Sequence, residues 1–229
     1  MISLISGALP PMEMRASSVR ITSLYEAYGC KYDFLRFFIQ RNDEDSITAI
    51  LSLIDGNATL YCRADADTDE LVGFARAIGA ETIYSELPLP LAKAEHGVIL
   101  KKQSVGNKTG TEQIDLKALY AILSDAFVMP EFSAWYPDIS HRIRHGCAGA
   151  VLDCCGGAVM LLSSIGAMIC GIAVKDELRK NGNGIKLLNT IEQYAHNGDI
   201  FALAEEQVAG FYEKNGYVRT GIFGTYKVK

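Results

Sequence analysis

The segment that decides the fold runs Ile172-Ala-Val-Lys-Asp-Glu-Leu-Arg-Lys-Asn-Gly-Asn-Gly-Ile185. Its first three residues end an apolar run, a short polar loop follows, and an Arg-x-x-Gly-x-Gly pattern from Arg179 to Gly184 opens a stretch with helical spacing. Glycines let backbone N–H groups approach a ligand closely, and a helix amino terminus supplies unpaired donors with positive dipole character. The segment therefore predicts a strand, a turn and a helix that together bind a phosphate or pyrophosphate.

Two better-known phosphate-binding patterns do not fit this segment. No Gly-Lys-Ser/Thr follows the glycines, which excludes the P-loop pattern. The first glycine of the dinucleotide fingerprint and its βαβ repeat are also missing. Taken alone, Arg-x-x-Gly-x-Gly is equally compatible with a solvated turn that merely starts a helix.

The apolar run that precedes the glycines, from Ala148 to Val174, has Asp153 as its only charge and is long enough to cross a bilayer. A Gly-Gly pair at Gly156 and a Ser-Ser-Ile-Gly cluster ending at Gly166 divide it into three pieces of strand length. Such clusters form turns. The run therefore predicts three consecutive antiparallel strands and no membrane span.

The elements around these strands predict an α+β (mixed α/β) fold with a central, mostly antiparallel sheet flanked by helices. Apolar residues at helical spacing from Leu116 to Phe127 predict one helix. Pro137 suits the first position of a second helix that stops before Gly146. Later pieces are a helix over 182–196, a strand over 200–204, a short helix over 208–214 and a final strand from Tyr217.

The first ninety residues predict an additional small α/β domain, residues 1–92, in front of a larger domain over residues 97–229. Its elements are a helix ending at Gly29, a hairpin around Asp55-Gly56 and a helix capped by Asp67. No catalytic constellation appears there, so a structural or partner-binding role is favoured.

The composition excludes several classes of function. The 229 residues carry 22 Lys plus Arg against 27 Asp plus Glu, a net charge of −5, which disfavours a general nucleic-acid binder. The six cysteines show no C-x-x-C spacing, so we expect buried thiols in a reducing compartment, the cytoplasm, and no structural zinc. His141 and His145 are spaced like a metal pair but lack a third ligand, which favours solvated histidines.

A second motif, Phe211-Tyr-Glu-Lys-Asn-Gly-Tyr217, follows the next predicted strand. With Val174 five residues before Arg179, the two motifs resemble the GNAT superfamily of acetyl-CoA-dependent N-acyltransferases over about residues 97–229. The resemblance implies acetyl-CoA as acyl donor and an amine in a small molecule or peptide as acceptor. The implied fold is that of the acyl-CoA N-acyltransferases.

The resemblance also implies roles for particular residues. The backbone of Ile172, Ala173 and Val174 would pair with the pantetheine arm. The amides of Arg179, Lys180, Asn181, Gly182, Asn183, Gly184 and Ile185 would surround the pyrophosphate. Tyr212 would protonate the leaving thiolate, a suitable task for a phenol of pKa near 10.

The proton of the attacking amine needs an acceptor, because only the free base attacks a thioester. Glu205, just past a strand end, is the candidate base we name; Glu206, Asp138 and His141 are alternatives.

We expect direct attack without a covalent enzyme intermediate or a metal, and a homodimer is left open. The alternative function is a non-catalytic acyl-CoA-binding or protein-interaction module.

Overall fold

The computed structural model describes residues 1–104, 106, 114–196 and 198–228. The first part of the chain forms β1 (Ile2–Leu4), α1 (Ala16–Tyr28), β2 (Leu35–Arg41), β3 (Ile47–Ile54), β4 (Asn57–Cys62), α2 (Thr68–Ala77) and β5 (Thr82–Ser85). The rest forms β6 (Lys93–Gln103), α3 (Leu116–Ala126), α4 (Phe132–Arg144), β7 (Ala148–Asp153), β8 (Gly156–Ser163), β9 (Gly166–Val174), α5 (Asn183–Glu192), β10 (Asp199–Ala204), α6 (Glu206–Glu213) and β11 (Val218–Lys227).

All strands join one 11-stranded sheet in the order β1-β2-β3-β4-β5-β11-β6-β10-β9-β8-β7. Its neighbours are antiparallel except at two places, β4 with β5 and β9 with β10. The mixed fold with a mostly antiparallel sheet flanked by helices is thus confirmed. The segments 1–92 and 97–229 meet where β5 pairs with β11, and the boundary between them stays a prediction.

The two parts of the chain repeat one order of elements. In each, a helix leads into three antiparallel strands, a second helix and a strand parallel to the third: α1-β2-β3-β4-α2-β5 first, then α4-β7-β8-β9-α5-β10. The first part is therefore built on the same plan as the second.

Helix α1 lies at the centre of the molecule. Ile21 and Leu24 pack with residues of β2, β3 and β4, whereas Ala16 and Val19 pack with residues of β6, β9 and β10. Strands that are far apart in the sheet order contact one helix, so the sheet bends around it. Helices α1, α3 and α4 cover this face, and α2, α5 and α6 cover the other.

The predicted local elements are confirmed where the sequence has residues that favour a turn or a helix cap. The apolar run forms the three predicted strands β7, β8 and β9. Asp55 and Gly56 take φ of 46° and 75° in the predicted hairpin, and the Asp67 side chain accepts a hydrogen bond from the Glu70 amide (2.9 Å). No helix in the described ranges has the length and apolar character to cross a membrane.

The structure departs from the expectation for α4 and contains strands that we had not predicted. Helix α4 begins at Phe132, because the amides of Ala134 and Trp135 both bond to the Glu131 carbonyl, and Pro137 lies in its second turn. Strands β1 and β2 were not predicted, although the turn-forming residues Asn42 to Ser46 directly follow β2. Strand β6 begins at Lys93, well before its apolar core of Val98-Ile-Leu, because β11 pairs with its polar end.

The central position of α1 predicts that both parts of the chain unfold together. Ile21 is fully buried, and truncating it to alanine should cost about 2–5 kcal/mol of unfolding free energy. Trp135, the only tryptophan, lies on α4 in the second part. In Ile21→Ala, the unfolding transitions followed by Trp135 fluorescence and by far-UV circular dichroism should shift to lower denaturant concentration by the same amount. A Trp135 transition that stays at the parental midpoint would show independent unfolding.

Candidate functional site

Strands β9 and β10 pair with each other only over the first part of β9. Strand β10 pairs in parallel with β9 as far as Ala202 opposite Ile169. Strand β9 continues to Val174, paired on its other side with β8. Within the described ranges, the β10-facing edge of β9 therefore has no strand partner from Cys170 to Val174. An unpaired strand edge presents N–H and C=O groups to which an extended chain can bond.

A β-bulge coincides with the point of parting. Along β8 and β9, Met160 pairs with Ile169 and Val159 with Gly171, which leaves Cys170 as the extra residue. The expectation of buried thiols is wrong for this residue and for Cys154, both exposed, because a bulge and a turn place them outside the packed layers. Cys62, Cys147 and Cys155 are buried.

The loop after β9 presents free amides. Gly182 is the N-cap of α5 with φ of 80°, and Lys180 takes φ of 63°, a conformation that L-residues rarely adopt. In the described part of the chain, the amides from Lys180 to Gly184 have no hydrogen-bond acceptor. Consecutive free N–H groups at a helix amino terminus form an anion site.

Two side chains fix the shape of this loop. The Arg179 guanidinium donates from Nε to the Val174 carbonyl (3.0 Å) and pairs through Nη2 with Asp176 (2.7 Å). The Asn183 side chain donates to the Leu178 carbonyl (2.8 Å). The predicted residues Ile172 to Ile185 are thus brought to one end of β9, although the Val174 carbonyl is already bonded to Arg179.

The equivalent junction in the first part of the chain has different chemistry. Between β4 and α2 the sequence has no glycine, and the Asp67 carboxylate caps the helix. A carboxylate at the helix amino terminus occupies its donors and repels a phosphate. Only the β9–α5 junction therefore suits an anion.

Tyr212 of α6 lies beside the gap between β9 and β10. Its side chain is 8% exposed, its ring meets Phe211 and Tyr217 edge-on, and the Cys170 thiol acts on it electrostatically. Burial raises the pKa of the hydroxyl to about 12, so it stays protonated at neutral pH. The hydroxyl has no hydrogen-bond partner among the described residues and is not a fully buried atom, so it is free to donate to a ligand.

A buried polar network lies next to Tyr212. The Tyr217 hydroxyl donates to Glu192 (2.8 Å), and the same carboxylate pairs with Lys102 (2.7 Å). These contacts join α5, β6 and the segment after α6, where the Tyr217 amide also donates to the Tyr212 carbonyl (3.1 Å), so they hold the C-terminal end of the helix that carries Tyr212.

The candidate bases lie in different places. Glu205 is exposed at the N-cap of α6, and its carboxylate accepts a hydrogen bond from Gln207 (2.7 Å). Asp138 accepts from Tyr28 (2.6 Å) and Arg142 (2.9 Å). His141 stacks on the Tyr28 ring and bonds to the Ala27 carbonyl (2.8 Å), and both contacts keep it in the α1–α4 packing.

A separate cavity of about 280 Å³ lies on the α1 face. Its charged residues are already bonded: Arg15 to the Cys62 carbonyl, Glu86 to the Ser17 amide and Lys101 to Asp199. In the described ranges no cluster of three His, Cys, Asp or Glu side chains could hold a metal ion. The end of β9 is therefore the candidate site.

Known proteins resemble this chain in part of its sequence and in its fold. Residues 141–219 match the family model of the acetyltransferase (GNAT) domain, and none of the curated proteins matches the sequence significantly. A GCN5-related N-acetyltransferase from Kribbella flavida superposes with a TM-score of 0.58 at 12% identity, covering 93% of this chain and 95% of that one. A tandem GNAT protein from the clavulanic acid biosynthesis pathway gives 0.52 at 12% identity, covering 91% and 88%. At these identities the solved structures show a shared fold, and the resemblance noted from the motifs is confirmed over residues 141–219, which the family model matches.

Gly184 offers a test of the anion site. A Cβ added there would contact the Phe211 ring at 3.4 Å and Val174 at 3.8 Å, both ordinary distances, so Gly184→Ala and Gly184→Asp should fold. A carboxylate in the first turn stabilises a helix but repels a pyrophosphate. Calorimetry should show coenzyme A affinity at least about tenfold weaker for Gly184→Asp than for Gly184→Ala, a difference of about 1.4 kcal/mol. Equal affinities would remove the pyrophosphate from this loop.

Proposed function

We propose that this protein, whose residues 141–219 match the model of the GNAT acetyltransferase domain, is an N-acetyltransferase that moves an acetyl group from acetyl-CoA to a primary amine by direct attack. The acceptor is an amine of a small molecule or peptide. The observation that carries the proposal is the combination of free amides, an unpaired strand edge and a free phenol at one end of β9.

The residues present fit acyl-CoA by their chemistry. The amides from Lys180 to Gly184 suit the pyrophosphate, and the exposed cations Lys175 and Lys180 add positive charge beside them. The open edge of β9 from Cys170 to Val174 suits the amide groups of the pantetheine arm, which has donors and acceptors like a peptide. Arg179 would release the Val174 carbonyl when that edge is filled.

Acetyl-CoA supplies the activated acetyl group: the amine nitrogen forms the new C–N bond, and the C–S bond breaks to leave a thiolate. Tyr212 holds a proton at its hydroxyl up to a pH near its pKa of about 12, and gives it to that thiolate. The amine loses its proton to a base. Glu205 stays the predicted base. Asp138 is the alternative, because its negative charge acts on the Cys170 thiol beside the gap.

Incubation with acetyl-CoA and a panel of primary amines separates the enzyme from a non-catalytic acyl-CoA-binding module. The enzyme should release one free thiol for each acetylated amine detected by mass spectrometry. A protein that binds coenzyme A in calorimetry, yet yields neither thiol nor acetylated amine with any member of the panel, would be the binding module instead.

Tyr212→Phe should lower kcat by about 10²- to 10⁴-fold, the usual contribution of acid catalysis, if thiolate departure limits the rate. The hydroxyl bonds to no described residue, so its loss leaves no orphaned partner, and coenzyme A affinity and the midpoint of unfolding should stay near parental values. Steady-state kinetics on an accepted amine checks the first expectation.

Tyr217→Phe is the matched control. Removing this hydroxyl deprives the buried Glu192 carboxylate of a hydrogen bond, which should cost about 1–3 kcal/mol of stability and lower kcat far less than Tyr212→Phe does below the unfolding temperature. If Tyr212→Phe turns over like the parent while Tyr217→Phe behaves as expected, Tyr212 is a packing residue and not the acid.

A further inference from the structure

The Glu192 carboxylate is buried at a place where a negative charge is costly. Glu192 is the last residue of α5 and is 4% exposed. A negative charge opposes the helix dipole at a carboxyl end, and a carboxylate loses its hydration when it is buried. A buried ion pair often stabilises a fold no more than apolar side chains of the same volume do. Stability alone therefore does not account for this charge.

The two oxygens of this carboxylate bond to different parts of the structure. Oε1 accepts a hydrogen bond from the Tyr217 hydroxyl (2.8 Å), and Oε2 accepts one from Nζ of Lys102 on β6 (2.7 Å). The Lys102 ammonium also lies 5.5 Å from the centre of the Tyr217 ring. Tyr217 itself is 2% exposed, so its ring is enclosed by protein atoms. Glu192 and Lys102 together therefore hold Tyr217 in one orientation.

Tyr217 in turn contacts Tyr212 through its backbone and its ring. Its amide donates to the Tyr212 carbonyl (3.1 Å), and the two rings meet edge-on with their centres 5.4 Å apart. Helix α6 has eight residues, of which Ala209 and Tyr212 are buried, and a helix this short depends on tertiary contacts. The Tyr212 hydroxyl bonds to no described residue, so the packing of its ring sets the direction of the hydroxyl.

We propose that Glu192 is a positioning residue, which holds the Tyr212 hydroxyl in place to protonate the leaving thiolate. It acts through Tyr217, which it fixes together with Lys102. This role rests on the proposed acetyltransferase function. A general acid must lie within hydrogen-bond reach of the atom that it protonates, so a small movement of the phenol slows the proton transfer. The buried carboxylate prevents that movement at a cost in stability.

Variants of Glu192 test this role by their effect on turnover. Glu192→Leu leaves the Tyr217 hydroxyl without its acceptor and should lower kcat about 5- to 20-fold, below the about 100-fold that a displacement of about 1 Å can cost. The KM for acetyl-CoA should stay near the parental value. Glu192→Gln retains an oxygen for that hydroxyl and should recover most of the lost rate. Kinetics are measured below the unfolding transition of each variant, which circular dichroism locates.

Lys102→Met tests the same network without depriving a buried hydroxyl of its acceptor. It removes the ammonium that bonds to Glu192 and should lower kcat about 2- to 10-fold, again with little change in KM. Lys101→Met is the matched control. Lys101 is the preceding residue of β6 and pairs with Asp199 (3.0 Å), so its loss also breaks an ion pair but should leave kcat near the parental value.

A double variant separates positioning from a general loss of structure. In Tyr212→Phe the hydroxyl to be positioned is absent, so the addition of Glu192→Leu should lower kcat no further. A general loss of structure would instead act independently, and the two reductions in kcat would multiply. Steady-state kinetics of the parent, the two single variants and the double variant on one accepted amine gives this comparison.

The outcomes separate the two proposals. If no amine is acetylated although coenzyme A binds, the acetyltransferase function fails, and the positioning role fails with it. If amines are acetylated but the reductions from Glu192→Leu and Tyr212→Phe multiply, the function stands and Glu192 has only a structural role. Parental turnover by both Glu192→Leu and Lys102→Met, or by Tyr212→Phe itself, would likewise exclude the positioning role and leave the function standing.

Discussion

The early end of the pairing between β9 and β10 is the constraint on which the site depends. The ladder stops at Ile169 opposite Ala202, and the next residue of β9, Cys170, is the extra residue of a bulge. A bulge increases local twist and bends its strand away from a neighbour. The resulting gap exposes one edge of β9, and Tyr212 of α6 lies beside it.

The repeated plan of the two parts of the chain explains why one part carries the site and the other does not. Both parts contain a parallel pair after three antiparallel strands. At the end of β4, however, the Arg15 guanidinium bonds to the Cys62 carbonyl (2.8 Å), and Asp67 caps the following helix. The first part instead contributes α1, whose Ser23 and Tyr28 hydroxyls donate to the Cys147 carbonyl and to Asp138 of the second part. Helix α1 therefore joins the two parts of the chain.

Much of the fold and the donor side of the site could be predicted, because they depend on local sequence. Gly182, Gly184 and Tyr212 belong to short motifs at fixed spacing, and the turns at Asp55-Gly56 and Gly156 have their own chemistry. The opening beside β9 could not be predicted. It depends on where the pairing with β10 ends, and the exposure of Cys170 follows from a bulge that no residue pattern announces.

Hydrogen–deuterium exchange with and without coenzyme A tests the central claim most directly, since it reads the backbone groups themselves. Exchange should become slower on binding at two places, the amides of the unpaired edge from Cys170 to Val174 and the loop from Lys180 to Gly184. The equivalent junction from Arg63 to Asp67 provides an internal reference and should not change. Protection at that junction, or none at the end of β9, would contradict the account.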